Sequence, residues 1–447
     1  MAKDYHPLPP FLTTSKGNSA VHTKTHSGDN TTAPPAAGTA PQLAQEIIPA
    51  LAASTRPPIA AGAHALRLPT WTPTPFGARD WLLALTLSIV TAIARSLGVW
   101  VATGFAPNIG RQLRQWDAIH FAEIAKYGYF STQGYGADNP EIYQTRLAFF
   151  PGLPALMRAL NELTGINVYA AGEILSLIAT FFIAAGAIKL ASLLGAPLSG
   201  KIGAALLFLC APMSITFQMA YTEAIFIAIS LWAMAMLLEG RWCATALLIF
   251  IAGFFRLTTI DLIATFAIIA LLYAPHNLRD RRTWLIWGSV IASALPLLGY
   301  IWWASSHTRD IGGYFGLQEK GWHSSFDFGA ATLRWTVQEL ISGTQPGYFI
   351  SIASIIGAVS AVFFSFRRLP WALWLCGATI VANVVLSDGI MHSRPRLLLL
   401  GLVLLLPLVI QTPKRLPPIT YGLMIGAWSV AGIVTSSYML VIFDWAI

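Results

Sequence analysis

Asp117 and His120 lie three residues apart in the segment Trp116-Asp-Ala-Ile-His-Phe121. On an α-helix this spacing puts a carboxylate and an imidazole side by side on one face. A carboxylate held next to a substrate hydroxyl can accept its proton, so the pair is a candidate for acid–base chemistry. Trp116 and Phe121 add aromatic surface of the kind that favours a membrane interface. A solvated amphipathic loop helix is the alternative interpretation.

A second carboxylate, Glu223, follows Tyr221 and Thr222 at the start of an apolar stretch. A carboxylate within a membrane helix is energetically costly, so Glu223 is a functional candidate. The alternative is a structural ion pair with Arg256, which we place at the outer end of another predicted helix. Gln318 and Trp322 belong to a polar and aromatic segment further along the chain.

The segment His392-Ser-Arg394-Pro-Arg396 precedes another apolar stretch. Arginines bind phosphate through several hydrogen bonds at once, so Arg394 and Arg396 could hold a phosphate at the bilayer surface. Their alternative role is to anchor the helix end, with the charged groups reaching towards water.

The composition indicates which elements must position these residues. The chain has 447 residues, of which 55% are apolar and 11% are charged, whereas soluble proteins carry about 25% charged residues. This deficit excludes an ordinary soluble enzyme and a disordered protein. The net charge of +8 is dispersed, without a run of four Lys or Arg, so a nucleic-acid binder is excluded as well.

We therefore predict an all-α polytopic membrane protein with about eleven transmembrane helices, because apolar stretches long enough to cross the bilayer recur from Trp81 onward. Residues 1–78 are predicted to form a disordered, Pro/Thr/Ala-rich cytoplasmic tail, and residues 79–447 the membrane domain.

The short apolar stretch 148–162 contains two prolines and is predicted to be interfacial or re-entrant. The predicted spans are 80–102, 168–193, 201–218, 220–239, 242–256, 258–274, 283–304, 346–366, 370–387, 395–411 and 418–441.

Basic residues in four short turns orient these helices. The turns contain Arg241, Arg279, Arg281, Arg282, Arg367, Arg368, Lys414 and Arg415, and the positive-inside rule makes their side cytoplasmic. The outer face then carries two long loops, 103–147 and 305–345, which are predicted to contain short interfacial helices. The candidate residues all fall on this outer side. The outer loops also hold Arg111, Arg114, Lys126, Arg146, Arg309, Lys320 and Arg334, which suggests an anionic ligand.

These segments together resemble the GPI mannosyltransferase II (PIG-V) family. The resemblance rests on the run from Trp116 to Tyr129, the run Ala148-Phe-Phe-Pro-Gly-Leu-Pro154 and the segment Tyr221-Thr-Glu223. Gln318 with Trp322, and Ser393 with Arg396, resemble weaker motifs of the family. The resemblance covers about residues 79–440. Gln115, Thr222 and Leu397 depart from the family pattern.

The resemblance implies a GT-C-like glycosyltransferase that uses polyprenyl or dolichyl phosphate mannose and transfers mannose to a glycolipid hydroxyl. Asp117 would be the general base of an inverting displacement, and His120 would orient it or the acceptor. Neither a metal site nor a cofactor is predicted, although a divalent metal is not excluded. The substrate-binding candidates are Trp116, Tyr221, Glu223, Arg256, Gln318, Trp322, His392, Arg394 and Arg396. The enzyme would lie in the plasma membrane of a bacterium or the endoplasmic reticulum of a eukaryote, with its site on the non-cytoplasmic face.

Two alternatives stay open. A transporter or lipid flippase would also use a lipid groove, but it needs ionisable residues near the middle of the membrane, where the predicted helices are nearly free of charge. Another membrane transferase could use a divalent metal bound by Asp117 and Glu223.

Overall fold

The computed structural model describes residues 71–136, 138–139, 141–274 and 278–445. The predicted tail, 1–78, lies outside the described residues apart from 71–78. Within the described ranges the regular elements are helices, and one isolated bridge joins Phe326 to Ser387. The predicted all-α class is confirmed.

The described residues contain eighteen α-helices, numbered in chain order. They are α1 Ala78–Ala102, α2 Ile109–Gln112, α3 Asp117–Tyr127, α4 Ile142–Leu147, α5 Gly152–Thr164, α6 Val168–Leu193, α7 Leu198–Leu209, α8 Glu223–Leu238, α9 Trp242–Ala252, α10 Thr259–Tyr273, α11 Arg281–Ser306, α12 Gly313–Trp322, α13 Ala330–Ser342, α14 Pro346–Ser365, α15 Trp371–Val385, α16 Arg394–Leu397, α17 Leu406–Gln411 and α18 Pro418–Val441. Short 3-10 helices cover Ser214–Gln218, Arg309–Ile311, Met391–Ser393, Leu399–Leu405 and Thr412–Lys414.

Five of these helices, α1, α6, α11, α14 and α18, are long and apolar enough to cross a membrane. The segment 391–414 passes the same test as a pair bent by 58°. The shorter apolar helices α7, α8, α9, α10 and α15 coincide with the remaining predicted spans. The chain is therefore a multi-pass membrane protein, and the number of eleven spans stays a prediction.

The predicted span 201–218 is interrupted, because α7 ends at Leu209. Pro212 follows, and a proline both lacks an N–H donor and disfavours helical geometry in the residue before it. Arg95, which is fully buried within α1, donates from Nη1 to the carbonyl of Leu209 and from Nε to Gln218 Oε1. Arg95 is thus a charge inside a helix that we expected to be nearly uncharged, and it stabilises the broken end of α7.

The predicted span 395–411 is also broken. A 3-10 helix occupies Leu399–Leu405, directly before α17. Pro407 cannot donate to the carbonyl of Val403, and its ring crowds that carbonyl, which disfavours a regular α-helix at the end of this 3-10 segment. The 58° bend lies earlier, between Leu397 and Leu399, and it carries α16, with Arg394 and Arg396, towards the start of α3.

Close packing between α6 and the segment before α8 positions the second candidate carboxylate. A Cβ atom on Gly172 would lie 2.5 Å from the Cβ of Ala220, so only glycine allows this approach. Ser176, one turn further along α6, donates to the carbonyl of Met219 at 2.6 Å. These contacts fix the chain just before Tyr221 and Glu223.

Candidate active site

Asp117 is the first residue of α3. The buried face of this helix, which includes Phe121 and Ile124, packs against α5 and α6. The helix N-terminus stabilises a negative charge, so the carboxylate occupies an electrostatically favourable position. Trp116 precedes it with φ at 51°, in the left-handed region that a bulky residue rarely adopts. This strained turn aims α3 so that its first residue meets α16.

Asp117 forms an ion pair with Arg396, whose Nη1 lies 2.7 Å from Asp117 Oδ2. The Nε of Arg396 lies 3.2 Å from Glu223 Oε1. Arg256 Nη1 lies 2.8 Å from the same Glu223 oxygen and donates to Thr222 Oγ1 at 3.1 Å. The four charged side chains form a row with two positive and two negative charges, so their net charge is zero.

The row borders a cavity of about 250 Å³. Six predicted residues line this cavity: Asp117, Arg256, Gln318, Trp322, Arg394 and Arg396. Phe149 and Tyr314 contribute to the apolar wall. The Glu223 side chain is 5% exposed and lies behind the cavity wall, where it contacts Arg256 and Arg396. The structure thus brings together residues that lie as much as 279 positions apart in the sequence.

Arg394 differs from the other two arginines in its partners. Its residue exposure is 2%, and Nη2 donates to the carbonyl of Ser387 at 2.6 Å and contacts Met391 Sδ. Its Nε has no hydrogen-bond partner, and within the part of the chain that the structure describes it forms no ion pair with a carboxylate. The carboxylates of Asp388 and Asp327 act on this charge only from beyond ion-pair distance, and a buried charge without a direct counter-ion is costly. Arg394 is therefore the cavity residue best prepared to bind an anion.

Gln318 and Trp322 belong to α12 and line the cavity. Gln318 donates to Tyr314 Oη at 2.9 Å, and the Trp322 ring meets Phe149 edge-on at 5.7 Å. These contacts hold both side chains against their neighbours in the cavity wall.

Besides Glu223 and His120, three further predicted residues do not line the cavity: Tyr221, Trp116 and His392. Tyr221 is fully buried under the Arg396 guanidinium, which lies 5.1 Å from the centre of its ring. Trp116 packs in the apolar cluster beside α3. His392 packs its ring against Phe443 and Trp445. These placements indicate supporting positions for Tyr221 and Trp116.

Several cavity residues were missed by the sequence analysis. They include Asn383 and Asp388, and Asn383 donates to Asp261 Oδ2 at 2.9 Å. Asp388 and Gly389 form a turn between α15 and α16, and Asp388 donates its N–H to the carbonyl of Ser325. An Asp-Gly pair in an outer loop is a turn signal, but nothing in its spacing relates it to Asp117.

Many basic residues of the outer loops already have protein partners. Arg146 is fully buried and donates to the carbonyls of Gly128, Ser131, Gln133 and Tyr135. Arg114 pairs with Glu173 at 2.7 Å, and Lys320 with Glu141 at 2.9 Å. These side chains stabilise the loops, so the general excess of basic residues does not itself indicate a ligand.

His120 stacks on Phe149 with ring centres 5.0 Å apart and meets Tyr135 edge-on. Over the described ranges no hydrogen bond joins its ring to Asp117. Burial lowers the pKa of His120 below its ordinary value; the charge of Asp117 opposes this change and that of Arg146 adds to it. The neutral imidazole is thus the form that the folded chain favours.

We expect this burial to make stability depend on pH. Because the pKa is lower in the folded chain, the unfolded chain binds the proton more readily below about pH 6.5, and stability falls as pH decreases through this range. The melting temperature of purified protein should therefore drop less on acidification in His120→Gln than in wild type. His323→Gln, which removes an exposed imidazole, serves as control. Equal pH dependence of wild type and His120→Gln would contradict the prediction.

Within the described residues no group of three or more His, Cys, Asp or Glu side chains is placed to hold a metal ion. Asp117 and Glu223, the two carboxylates considered as metal ligands, share the guanidinium of Arg396 instead. A cation already lies between them, so this arrangement does not favour metal binding by the pair.

Comparison with known proteins gives three findings. The model of the Mannosyltransferase (PIG-V) family matches residues 92–284, which confirms the resemblance found in the sequence. GPI alpha-1,6-mannosyltransferase 2 of Homo sapiens is 33% identical over 153 residues, and that of Mus musculus 31% identical over 150 residues; each alignment covers 32% of this chain and 28% of the relative. The chain thus matches less than a third of the length of these relatives. The solved structure of the Archaeoglobus fulgidus oligosaccharyltransferase aligns with 81% of this chain and 53% of its own, at a TM-score of 0.41 and 12% identity.

Proposed function

We propose that this chain is a GT-C-type mannosyltransferase that transfers mannose from a polyprenyl or dolichyl phosphate to a hydroxyl of a glycolipid acceptor. The reaction would take place on the non-cytoplasmic face of the membrane. The similarity to the PIG-V family supports the reaction class. The observation that carries the proposal is one cavity that contains both the Asp117 carboxylate and the buried guanidinium of Arg394.

The proposed reaction is a single displacement with inversion. The acceptor oxygen attacks C1 of mannose as the bond from C1 to the phosphate oxygen breaks, and the polyprenyl phosphate leaves with the bonding electrons. Asp117 takes the proton of the acceptor hydroxyl. Arg396 is paired with Oδ2 of Asp117, so we assign Oδ1 as the atom that accepts the proton of the acceptor hydroxyl.

The arginines differ in the roles that we assign to them. Arg396 and Arg256 are neutralised by Asp117 and Glu223, so we treat them as positioning residues. Arg394 has only a carbonyl and a thioether as partners, and its charge can therefore stabilise the phosphate that leaves. Glu223 positions both neighbouring arginines. Gln318 and Trp322 line the wall that would contact sugar or acceptor.

The direct test is a reaction with defined substrates. Purified protein is incubated with polyprenyl-phosphate-mannose and a set of candidate glycolipid acceptors, and the products are identified by mass spectrometry. We expect one hexose to be added to an acceptor, and no product when GDP-mannose replaces the lipid donor. Absence of transfer to every acceptor, or transfer from GDP-mannose alone, would contradict the proposal.

Arg394 gives a second test, through donor binding. Replacing it with Gln should raise the KM for the lipid donor by about 10–100-fold, since charge-assisted contacts to a phosphate contribute about 1.5–3 kcal/mol. The KM for the acceptor should change little. Arg111→Gln, which removes an exposed arginine of α2, is the control. An unchanged donor KM in Arg394→Gln would assign Arg394 to a structural role.

A further inference from the structure

An apolar surface lies beside the cavity on α13 and the segment before it. Leu333, Val337, Leu340 and Ile341 are 67%, 48%, 56% and 81% exposed, and they fall within about 100° of one another around the helix. Phe326 and Phe328 are 59% and 82% exposed, and the centres of their rings lie 4.8 Å apart. We call these six residues the α13 surface.

The opposite face of α13 contacts the protein. Thr332 is 4% exposed, and the Trp335 ring meets Tyr348 of α14 at 5.8 Å. Because the face with Thr332 and Trp335 packs against the protein, the α13 surface on the opposite face points away from the rest of the chain. A contiguous apolar patch of this kind is typical of an interaction site.

The position of α13 in the chain indicates what covers this patch. Only residues 343–345 separate the end of α13 from Pro346, where the spanning-length helix α14 begins. Such a short linker reaches about 10 Å at most, so the C-terminal end of α13 lies close to the level at which α14 enters the membrane. An amphipathic helix at this depth buries its apolar face among lipid acyl chains.

The α13 surface is also joined to the cavity wall. The hydroxyl of Thr332 donates to the carbonyl of Ser387 at 3.4 Å, and Ser387 forms the isolated bridge with Phe326. Asp327 donates its N–H to the carbonyl of Leu386 at 3.2 Å. The Ser387 carbonyl is the same atom that accepts from Arg394 at 2.6 Å. One short loop therefore connects the apolar surface with the proposed phosphate contact.

We propose that the α13 surface docks in the outer leaflet of the membrane and is the side from which a polyprenyl-linked donor reaches Arg394. The polyprenyl chain stays among lipids beside α13, and its phosphate enters the cavity at the Ser387 loop. The docking is inferred from the exposure of the α13 surface and from the short linker to α14, and it does not depend on the proposed function. The route of the donor rests on the proposed function.

The docking is tested by the depth of spin labels in lipid nanodiscs. Val337→Cys labels the apolar face and Gln338→Cys its exposed polar neighbour, in a background where the exposed Cys243 is replaced by Ser. We expect the Val337 label to be relaxed mainly by oxygen and the Gln338 label by a water-soluble nickel chelate. If both labels respond equally to the nickel chelate, the α13 surface is in water and the proposal fails.

The donor route is tested by varying the lipid. Phe328→Asp should raise the KM for a long-chain polyprenyl donor by about tenfold, the change expected when one large apolar side chain loses its burial. The KM for a short-chain, water-soluble donor should not change. Leu163→Asp replaces a residue of α5 that is 83% exposed, and serves as control. Equal effects on both donors, or none, would overturn the route. Failure of the wild type to transfer mannose would instead refute the proposed function and leave the spin-label result valid.

Discussion

The Asp117→Asn variant is expected to transfer mannose about 10²–10⁴ times more slowly than wild type, the usual loss when a general base is removed. Asparagine keeps the shape of the side chain, and its carbonyl can still accept from Arg396. It cannot take a proton from the acceptor hydroxyl at neutral pH. The decrease should appear in kcat rather than in the KM for the donor, since the variant leaves Arg394, the proposed contact of the donor phosphate, in place. Rates are measured with saturating lipid donor.

Folding must be separated from chemistry in this test. The variant should elute as wild type in detergent and melt cooperatively. Glu162→Gln on α5 removes an exposed carboxylate and should transfer mannose at the wild-type rate. A folded Asp117→Asn protein with near-normal kcat would exclude Asp117 as the base.

Replacing Arg396 with Met is expected to have the largest effect on stability. The guanidinium side chain is only 12% exposed and lies between Asp117 and Glu223. Its loss leaves the buried row with two carboxylates and one arginine. Breaking a buried ion pair from one side costs about 3–5 kcal/mol, and activity should be lost because Asp117 is no longer oriented. Thermal unfolding and chemical denaturation in detergent measure the effect.

A compensating substitution tests the electrostatic explanation. The double variant Arg396→Met with Glu223→Gln leaves Asp117 and Arg256, so the row is neutral again. We expect it to recover part of the stability lost in the single variant, which gives a positive coupling energy in a double-mutant cycle. Transfer should stay impaired, because Asp117 still lacks its partner. Additive losses in the two substitutions would show that the row is not held by charge balance.

The sequence alone predicted the common location of the candidate residues. Alternation of apolar stretches with basic turns placed Asp117, Glu223, Arg256 and Arg396 on one side of the membrane, and the structure brings all four into one ion-pair row. Membrane topology is read reliably from such patterns, since the bilayer admits few arrangements of the chain. Which side is cytoplasmic stays a prediction.

Of the pairings within the site, the sequence offered only the ion pair of Glu223 with Arg256, as the structural alternative for that carboxylate, and the structure contains it. Asp117 meets Arg396 because the chain bends between α16 and α17, and hydropathy does not report such a bend. The sequence treated Arg394 and Arg396 as equivalent, whereas their partners differ: Arg396 faces two carboxylates and Arg394 a carbonyl. Asp388 was missed because a single acidic residue in a turn has no periodic signal.

The buried Arg95 has a consequence for how the protein is made. An arginine in the middle of a membrane helix costs about 2.5–3.5 kcal/mol when it has no partner. Its carbonyl partner at Leu209 lies 114 residues later in the chain, and Gln218 lies 123 residues later. During synthesis, α1 therefore enters the bilayer long before its charge is satisfied. Final placement of this helix must await α7 and the turn after it, which makes assembly of the bundle depend on segments that leave the ribosome late.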